Sequence, residues 1–306
     1  MILTVTLNTA LDLTYRVRSL RPHATHRVSA VDERPGGKGV NVARVLAALG
    51  HEVTVTGFAG GGTGREVRER LADTPGVLDA LVPIAGATRR TVAVVDERSG
   101  DTTQLNEPGP QVTATEWAAF QEAYAGLLGP ASAVALCGSL PPGVPVGAYA
   151  GLIRAARSAG VPVLLDTSGE PLRRGVAARP DIAKPNAGEL AELTGFHEPL
   201  RAAQDARRRG AHAVVASLGP QGLLAHTADG HWRAAPPATV TGNPTGAGDS
   251  AVAGLLSGLV ENLPWPDRLA RAVALSAATV AAPVAGEFDR PTYEEMLSQT
   301  DVSVSA

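Results

Sequence analysis

Residues 243–254 read NPTGAGDSAVAG, and the organisation of the chain can be read outward from them. Asn243, Pro244 and Thr245 carry turn chemistry. Gly246, Ala247 and Gly248 are small enough to let backbone approach a ligand, and the apolar residues after Asp249 predict a helix. A helix starting on such a turn offers free N–H groups and the positive end of its dipole, a local anion site. Asp249 falls in the first turn, placed to accept a proton from a hydroxyl that attacks a phosphoryl group held there. The same residues fit an aspartate capping an ordinary glycine turn, and spacing alone leaves both readings open. GAGDSA at 246–251 matches the letters of the dinucleotide pattern GxGxxA. It follows a proline turn rather than a strand and carries its acid inside the motif, so it does not read as a Rossmann site.

Away from this helix, short apolar runs alternate with longer helical patterns, the signature of α/β units around a largely parallel sheet. Strands are predicted over 2–7, 53–58, 133–137, 161–166, 213–217 and 222–226. Helices are predicted over 40–49, 113–128, 145–159, 247–261 and 266–282. Two stretches, 11–34 and 88–107, break the rhythm: TYRVRSL, THRVSAV and TVAVVDE alternate polar and apolar with no helix between them. They read as antiparallel strands outside the main sheet, either a lid that keeps water from a reactive transfer or plain edge hairpins. No repeat, linker or low-complexity segment calls for a second domain within 1–306.

The 306 residues are 44% hydrophobic and 19% charged, which excludes disorder as the main state. A net charge of -3 gives no basic field for nucleic acid or an anionic membrane, so any bound anion must be held locally. The single cysteine, Cys137, excludes an internal disulfide and a cysteine zinc cluster. No run approaches the roughly 20 apolar residues of a spanning helix, and the start MILTVTLNTALD reads as a strand rather than a signal peptide. The expectation is a cytoplasmic protein. Of the 27 basic residues only two are lysine, Lys38 and Lys184. A compact ammonium and a planar guanidinium differ at a binding site, and both lysines fall in glycine- or proline-containing segments.

The first of these, GGKGVNVAR at 36–44, offers Gly36, Gly37 and Gly39 in a turn, Lys38 as a mobile cation and Asn41 on the next helical turn. It lacks the serine or threonine that follows lysine in a P-loop. Asp12, after the first strand, can accept hydrogen bonds from sugar hydroxyls or simply close a turn. In KPNAGE at 184–189, Asn186 and Glu189 share a face at a helix start. One carboxylate and one amide, completed by water, suit magnesium beside nucleotide phosphates, and the same pair forms a capping box; local spacing fits both. GSLPPG at 138–143 and DTSGE at 166–170 each follow a buried strand, where ligands of open α/β sheets gather, which brings Ser139 and Asp166 near the site.

Taken in order with NEPGP at 106–110 and SLGPQG at 217–222, these segments resemble the ribokinase-like sugar kinases of the phosphofructokinase B family, in the branch of 1-phosphofructokinase and tagatose-6-phosphate kinase. The resemblance implies a three-layer α/β/α domain with a β lid, ATP and magnesium as cosubstrates, and a homodimer made by paired lids. It implies Asp249 as catalytic base with Gly246, Ala247 and Gly248 as the anion hole. Asp12, Gly37, Lys38, Asn41, Arg89 and Ser139 would bind substrate, with Arg89, in TRRTVAV, on its phosphate and the adjacent Arg90 as the alternative. Lys184, Asn186, Ser217, Gly219, Gly222, Thr245 and Gly248 would serve the nucleotide, and Asn186 with Glu189 the metal through water. The family opening TLNPALD stands here as TLNTALD, with Thr9 for proline. The implied reaction is phosphorylation of a ketohexose monophosphate, first fructose 1-phosphate to fructose 1,6-bisphosphate, then tagatose 6-phosphate, then fructose 6-phosphate. A catalytically silent sugar or nucleotide sensor on the same fold is the alternative of a different class.

Overall fold

The computed structural model describes residues 1–282 and 284–304. The chain opens on β1 (Ile2–Thr6), departs for β2 (Ala10–Val17) and β3 (Ala30–Gly36), and returns through α1 (Lys38–Ala48) to β4 (Val53–Gly60). After α2 (Gly61–Ala72), the short strands β5 (Val77–Asp79) and β6 (Val82–Ile84) precede a second departure, β7 (Arg89–Asp96) and β8 (Thr102–Asn106). Regular alternation follows: α3 (Ala114–Leu128), β9 (Ala133–Cys137), α4 (Ala148–Ser158), β10 (Val163–Asp166), α5 (Gly169–Ala177) and β11 (Ile182–Ala183). Then come α6 (Ala187–Thr194), α7 (Pro199–Arg208), β12 (Ala213–Ser217), β13 (Leu223–His226) and β14 (His231–Ala234). The chain ends through α8 (Ala247–Val260), α9 (Trp265–Ala281), α10 (Arg290–Gln299) and β15 (Val302–Val304).

Among the described residues eleven strands form the main sheet in the order β15-β14-β13-β12-β11-β10-β9-β1-β4-β5, with β6 paired to β4. From β12 to β5 every pairing is parallel; the β13, β14 and β15 edge is antiparallel. Buried parallel strands feed both faces, and their residues divide by alternation. Leu3, Val5, Val134, Leu136 and Leu165 join one core with Phe120, Tyr149, Leu172 and Leu190 of α3 to α6. Ile2, Ala135, Cys137 and Leu164 join the other with Val42, Val252, Leu269 and Tyr293 of α1 and α8 to α10. This is the expected three-layer arrangement.

The segments expected to lie outside this sheet form a separate four-stranded one, β3-β2-β7-β8. One expectation fails there: β2 and β7, the central pair, run parallel over Ala10–Val17 and Arg89–Asp96, while the two outer pairings are antiparallel. Alternation reports which face a residue takes, not strand direction, and the long excursion through α1, β4 and α2 removes the hairpin constraint that would have forced antiparallel pairing. Helix α2 was not predicted, because GGTG opens it with glycines that weaken any helical signal.

Candidate active site

Between the small sheet and the C-terminal ends of β1, β9 and β10 lies a cavity of about 600 Å³. Its floor is built by chain reversals at strand ends, where backbone must turn and side chains face outward from the sheet. From β1 and its extension come Thr6 and Asn8; from β9 come Cys137, Gly138 and Ser139; from β10 come Asp166, Thr167 and Ser168. Asn8 donates to the Ser139 hydroxyl and to Pro108 O, both at 3.0 Å, tying the floor to the loop that leaves β8. Thr9, in the family's proline position, donates to Thr6 O at 2.9 Å and so restrains the same turn by a hydrogen bond instead of a ring.

The α8 wall follows from its sequence. Gly246 caps the helix with φ +88, a left-handed conformation that favours glycine, and an added Cβ would lie 2.9 Å from the Cβ of Ala285. The Ala247 N–H donates to Pro244 O at 3.1 Å, and the next backbone donation is from Ser250 N–H to Gly246 O. Ala247 is therefore withdrawn from the expected anion hole: its amide has a partner and it does not line the cavity. Gly246, Gly248 and Asp249 do line it. Asp249 is 7% exposed and accepts from the Asn41 amide at 2.9 Å. Burial raises its pKa to about 6, with nearby Asp166 adding to the rise and Lys38, Asn41 and Lys184 opposing it.

Opposite stands Asp166, 1% exposed, with Lys38 Nζ at 3.2 Å from one carboxylate oxygen and Lys184 Nζ at 3.4 Å from the other. Burial by itself would raise the Asp166 pKa, but Lys184 and Lys38 outweigh it and the pKa is lowered. Burial would likewise lower that of Lys38; Asp166, with Asp249 and Glu189, outweighs it and the pKa is raised.

The small sheet roofs the cavity with Asp12, Arg34, Arg89, Thr91, Gln104 and Asn106. Strand alternation separates the two candidate arginines: Arg89 lines the cavity, while Arg90 is exposed and outside the lining. Arg89 donates through Nε to Asn8 O at 3.2 Å and through Nη1 to Glu107 O at 3.0 Å. Asp12 accepts from the Thr91 hydroxyl, and its carboxyl group fills the space that a side chain at Gly36 would need, which explains the first glycine of GGKG. Burial raises the Asp12 pKa against the pull of Thr91, Arg89 and Arg44.

At the N-terminus of α6 the capping-box expectation for KPNAGE is met, and the geometry leaves room for the metal role as well. Asn186 Oδ1 accepts from Glu189 N–H at 2.9 Å and Glu189 Oε2 accepts from Asn186 N–H at 2.8 Å, a complete capping box. Both residues also line the cavity, and among the described residues Glu189 Oε1 makes no hydrogen bond. No cluster of three or more His, Cys, Asp or Glu there could hold a metal by itself. One free carboxylate oxygen beside an anion site fits a divalent ion whose remaining ligands are phosphate oxygens and water. Ser217 and Thr245 line the cavity; Gly219 and Gly222 do not. Gly222 is required instead by the close approach of its backbone to Ala234 O in β14.

Sequence reading passed over four residues here. Arg44 lies one turn after Asn41 on α1 and shares Glu287 with Arg34: Arg44 Nη2 is 2.9 Å from that carboxylate, and Arg34 pairs with it too. Gln104 of β8 donates to the Thr245 hydroxyl at 3.3 Å, joining the roof to the α8 turn. The helical spacing of Arg44 from Asn41 was a usable signal; the contacts of Arg34, Gln104 and Glu287, across 141 residues or more, left none.

A sequence profile described as pfkB family carbohydrate kinase matches residues 4–292. Phosphofructokinase-2 from Escherichia coli, in its structure with fructose-6-phosphate, is 31% identical with a TM-score of 0.90 over 97% of this chain and 98% of that one. Its tetrameric inhibited form gives the same identity, coverage and TM-score. A Thermotoga maritima protein described as a possible 1-phosphofructokinase is 27% identical with a TM-score of 0.92 over 100% of both chains.

Proposed function

The chain belongs to the pfkB family of carbohydrate kinases and is a sugar-phosphate kinase, and from this premise we propose that it phosphorylates the free primary hydroxyl of a ketohexose monophosphate, with fructose 1-phosphate as the first candidate and fructose 1,6-bisphosphate as the product. The observation that carries this reading is one cavity holding Asp249 at a helix N-terminus together with Arg89 and Lys38. Asp249 and Lys38 suit phosphoryl transfer, and Arg89 suits a phosphate already on the acceptor.

In the proposed reaction the sugar lies under the small sheet, with hydroxyls on Asp12 and Asn41 and its phosphate on Arg89. Asp249 takes the proton of the attacking hydroxyl. The sugar oxygen bonds to the γ-phosphorus as the bond to the β–γ bridging oxygen breaks, and ADP leaves with that electron pair. The amides of Gly248 and Asp249 and the Lys38 and Lys184 ammoniums face the charge on the transferring group. ATP is the donor, lying toward Ser217 and Thr245. Glu189 would hold magnesium through water beside the ATP phosphates, where the ion would supply charge neutralisation.

Tagatose 6-phosphate is the second candidate. Fructose 6-phosphate is the third candidate, and the E. coli relative was solved with it. ADP release over fructose 1-phosphate, fructose 6-phosphate, tagatose 6-phosphate, fructose and adenosine decides among them; no release with any sugar phosphate contradicts the proposal. Arg89→Ala tests the acceptor phosphate. Loss of a desolvated charge-assisted contact of roughly 2 to 5 kcal/mol should collapse affinity for the sugar phosphate. Activity on the unphosphorylated sugar, however poor, should hardly change. Equal weakening of both makes Arg89 structural and favours a kinase of free sugars.

A further inference from the structure

Both lysines of the chain turn to one carboxylate. Lys38 opens α1 and Lys184 follows β11, yet their Nζ atoms lie 3.2 Å and 3.4 Å from opposite oxygens of Asp166 at the end of β10. The backbone fixes this arrangement: Lys184 N–H donates to Leu165 O, and Gly138 N–H donates to Asp166 O, both at 2.9 Å. Asp249, the other buried carboxylate of the cavity, has no ion pair within 4.0 Å among the described residues. Its partner is the neutral amide of Asn41.

Two ammoniums and the two buried carboxylates of the pocket can pair in more than one way, and the choice matters. An ammonium seated on Asp249 would stabilise its ionised form, make it a poorer proton acceptor, and be turned away from the phosphoryl group. We propose that Asp166 is a positioning residue: it draws Lys38 and Lys184 away from Asp249 and holds them on the cavity wall, so that the proton acceptor keeps a neutral partner while two cations face the transferring phosphoryl group. This rests on the reading of Asp249 as the base. The groups that face Asp249 are Lys38 and Asn41 from α1, Asp166 from β10, Lys184 after β11, and the Cys137 thiol from β9, whose pKa is pushed up by burial; Glu189 of α6 acts on Lys38.

Removing Asp166 takes a negative charge from beside Asp249 and frees the lysines to approach it. Both effects lower the pKa of the base. The test is kcat/KM and kcat against pH, at saturating ATP with the best sugar phosphate of the panel above, for the parent, Asp166→Asn, and Asp166→Asn combined with Lys184→Met. The double variant leaves no buried ammonium orphaned and is expected to fold even if the single one does not. The parent should lose activity through an acid limb near pH 6. In folded Asp166→Asn that limb should move down by about one unit and plateau turnover should fall roughly 10- to 100-fold, while the sugar-phosphate KM changes less than about threefold. In the double variant, where losing Lys184 offsets the lost negative charge and only Lys38 is freed toward Asp249, the limb should move down by less. A parent limb near 6 that stays in place in a folded variant, whether or not turnover falls, overturns the role of Asp166 and leaves the base reading intact. A parent with no acid limb overturns the base reading and this inference with it.

Discussion

Asp249, the proposed base, is the residue at which activity and stability should oppose each other. Its pKa in the folded chain is raised to about 6, against an ordinary 3.8, by burial. A raised folded pKa means that the stabilising contribution is complete below the unfolded value and is lost as pH rises through the folded one. At pH 8 the ionised, buried carboxylate therefore costs on the order of 3 kcal/mol. Asp249→Asn should melt above the parent at pH 8, with the advantage shrinking through pH 6 to a small fraction by pH 4, while turnover falls about 10²- to 10⁴-fold. Thermal melts at the two pH values and initial rates check both halves. A pH-independent melting difference removes the strained carboxylate, and near-normal turnover removes the base. The sequence already placed Asp249 at a helix start after small residues. It contained nothing to say that the residue would be buried with only an amide for a partner.

At the scale of elements, α6 shows why two readings of one motif need not compete. The Asn186 and Glu189 box satisfies backbone donors at the helix start, and the carboxylate oxygen left over lies on the cavity. Glu189→Gln preserves an acceptor for Asn186 N–H, so the cap and the melting temperature should be little changed. The magnesium concentration needed for half-maximal rate should rise, because in the proposed site the lost charge acts on metal-bound water. Superimposable magnesium titrations would reduce Glu189 to its capping role. The capping box was legible because its chemistry is written within four residues. Helix α2 and the direction of β7 were not: the glycines that open α2 suppress its helical signal, and strand direction is set by connections that leave no local mark.

For the whole molecule, the small sheet carries the open question. Val31 on β3 and Leu105 on β8 are 53% and 59% exposed, and they fall on one face, in register with Tyr15 and Val94 and with Val92 respectively. Exposed apolar groups grouped on a sheet favour burial against another surface, which supports the proposal that two copies pair through their lids. Val31→Asp combined with Leu105→Asp should convert a sedimenting dimer to monomer; a parent that already sediments as a monomer contradicts the pairing. What the sequence determined by itself was everything written at short range: the strand and helix rhythm of the three layers, the turn into α8, the box at α6, and the lid segments through their period of two. Composition placed the chain among globular proteins, with any anion held locally. Only the tertiary structure decided that Lys38 and Lys184 converge on Asp166 rather than on Asp249, that Arg89 and not Arg90 faces the cavity, that Arg34 and Arg44 share Glu287, and that Gln104 reaches Thr245. These contacts join residues 18 to 253 positions apart or turn on which face of a strand is covered. Pairwise burial and charge fix them only after the sheet order has brought the strand ends together, and no local pattern encodes that order.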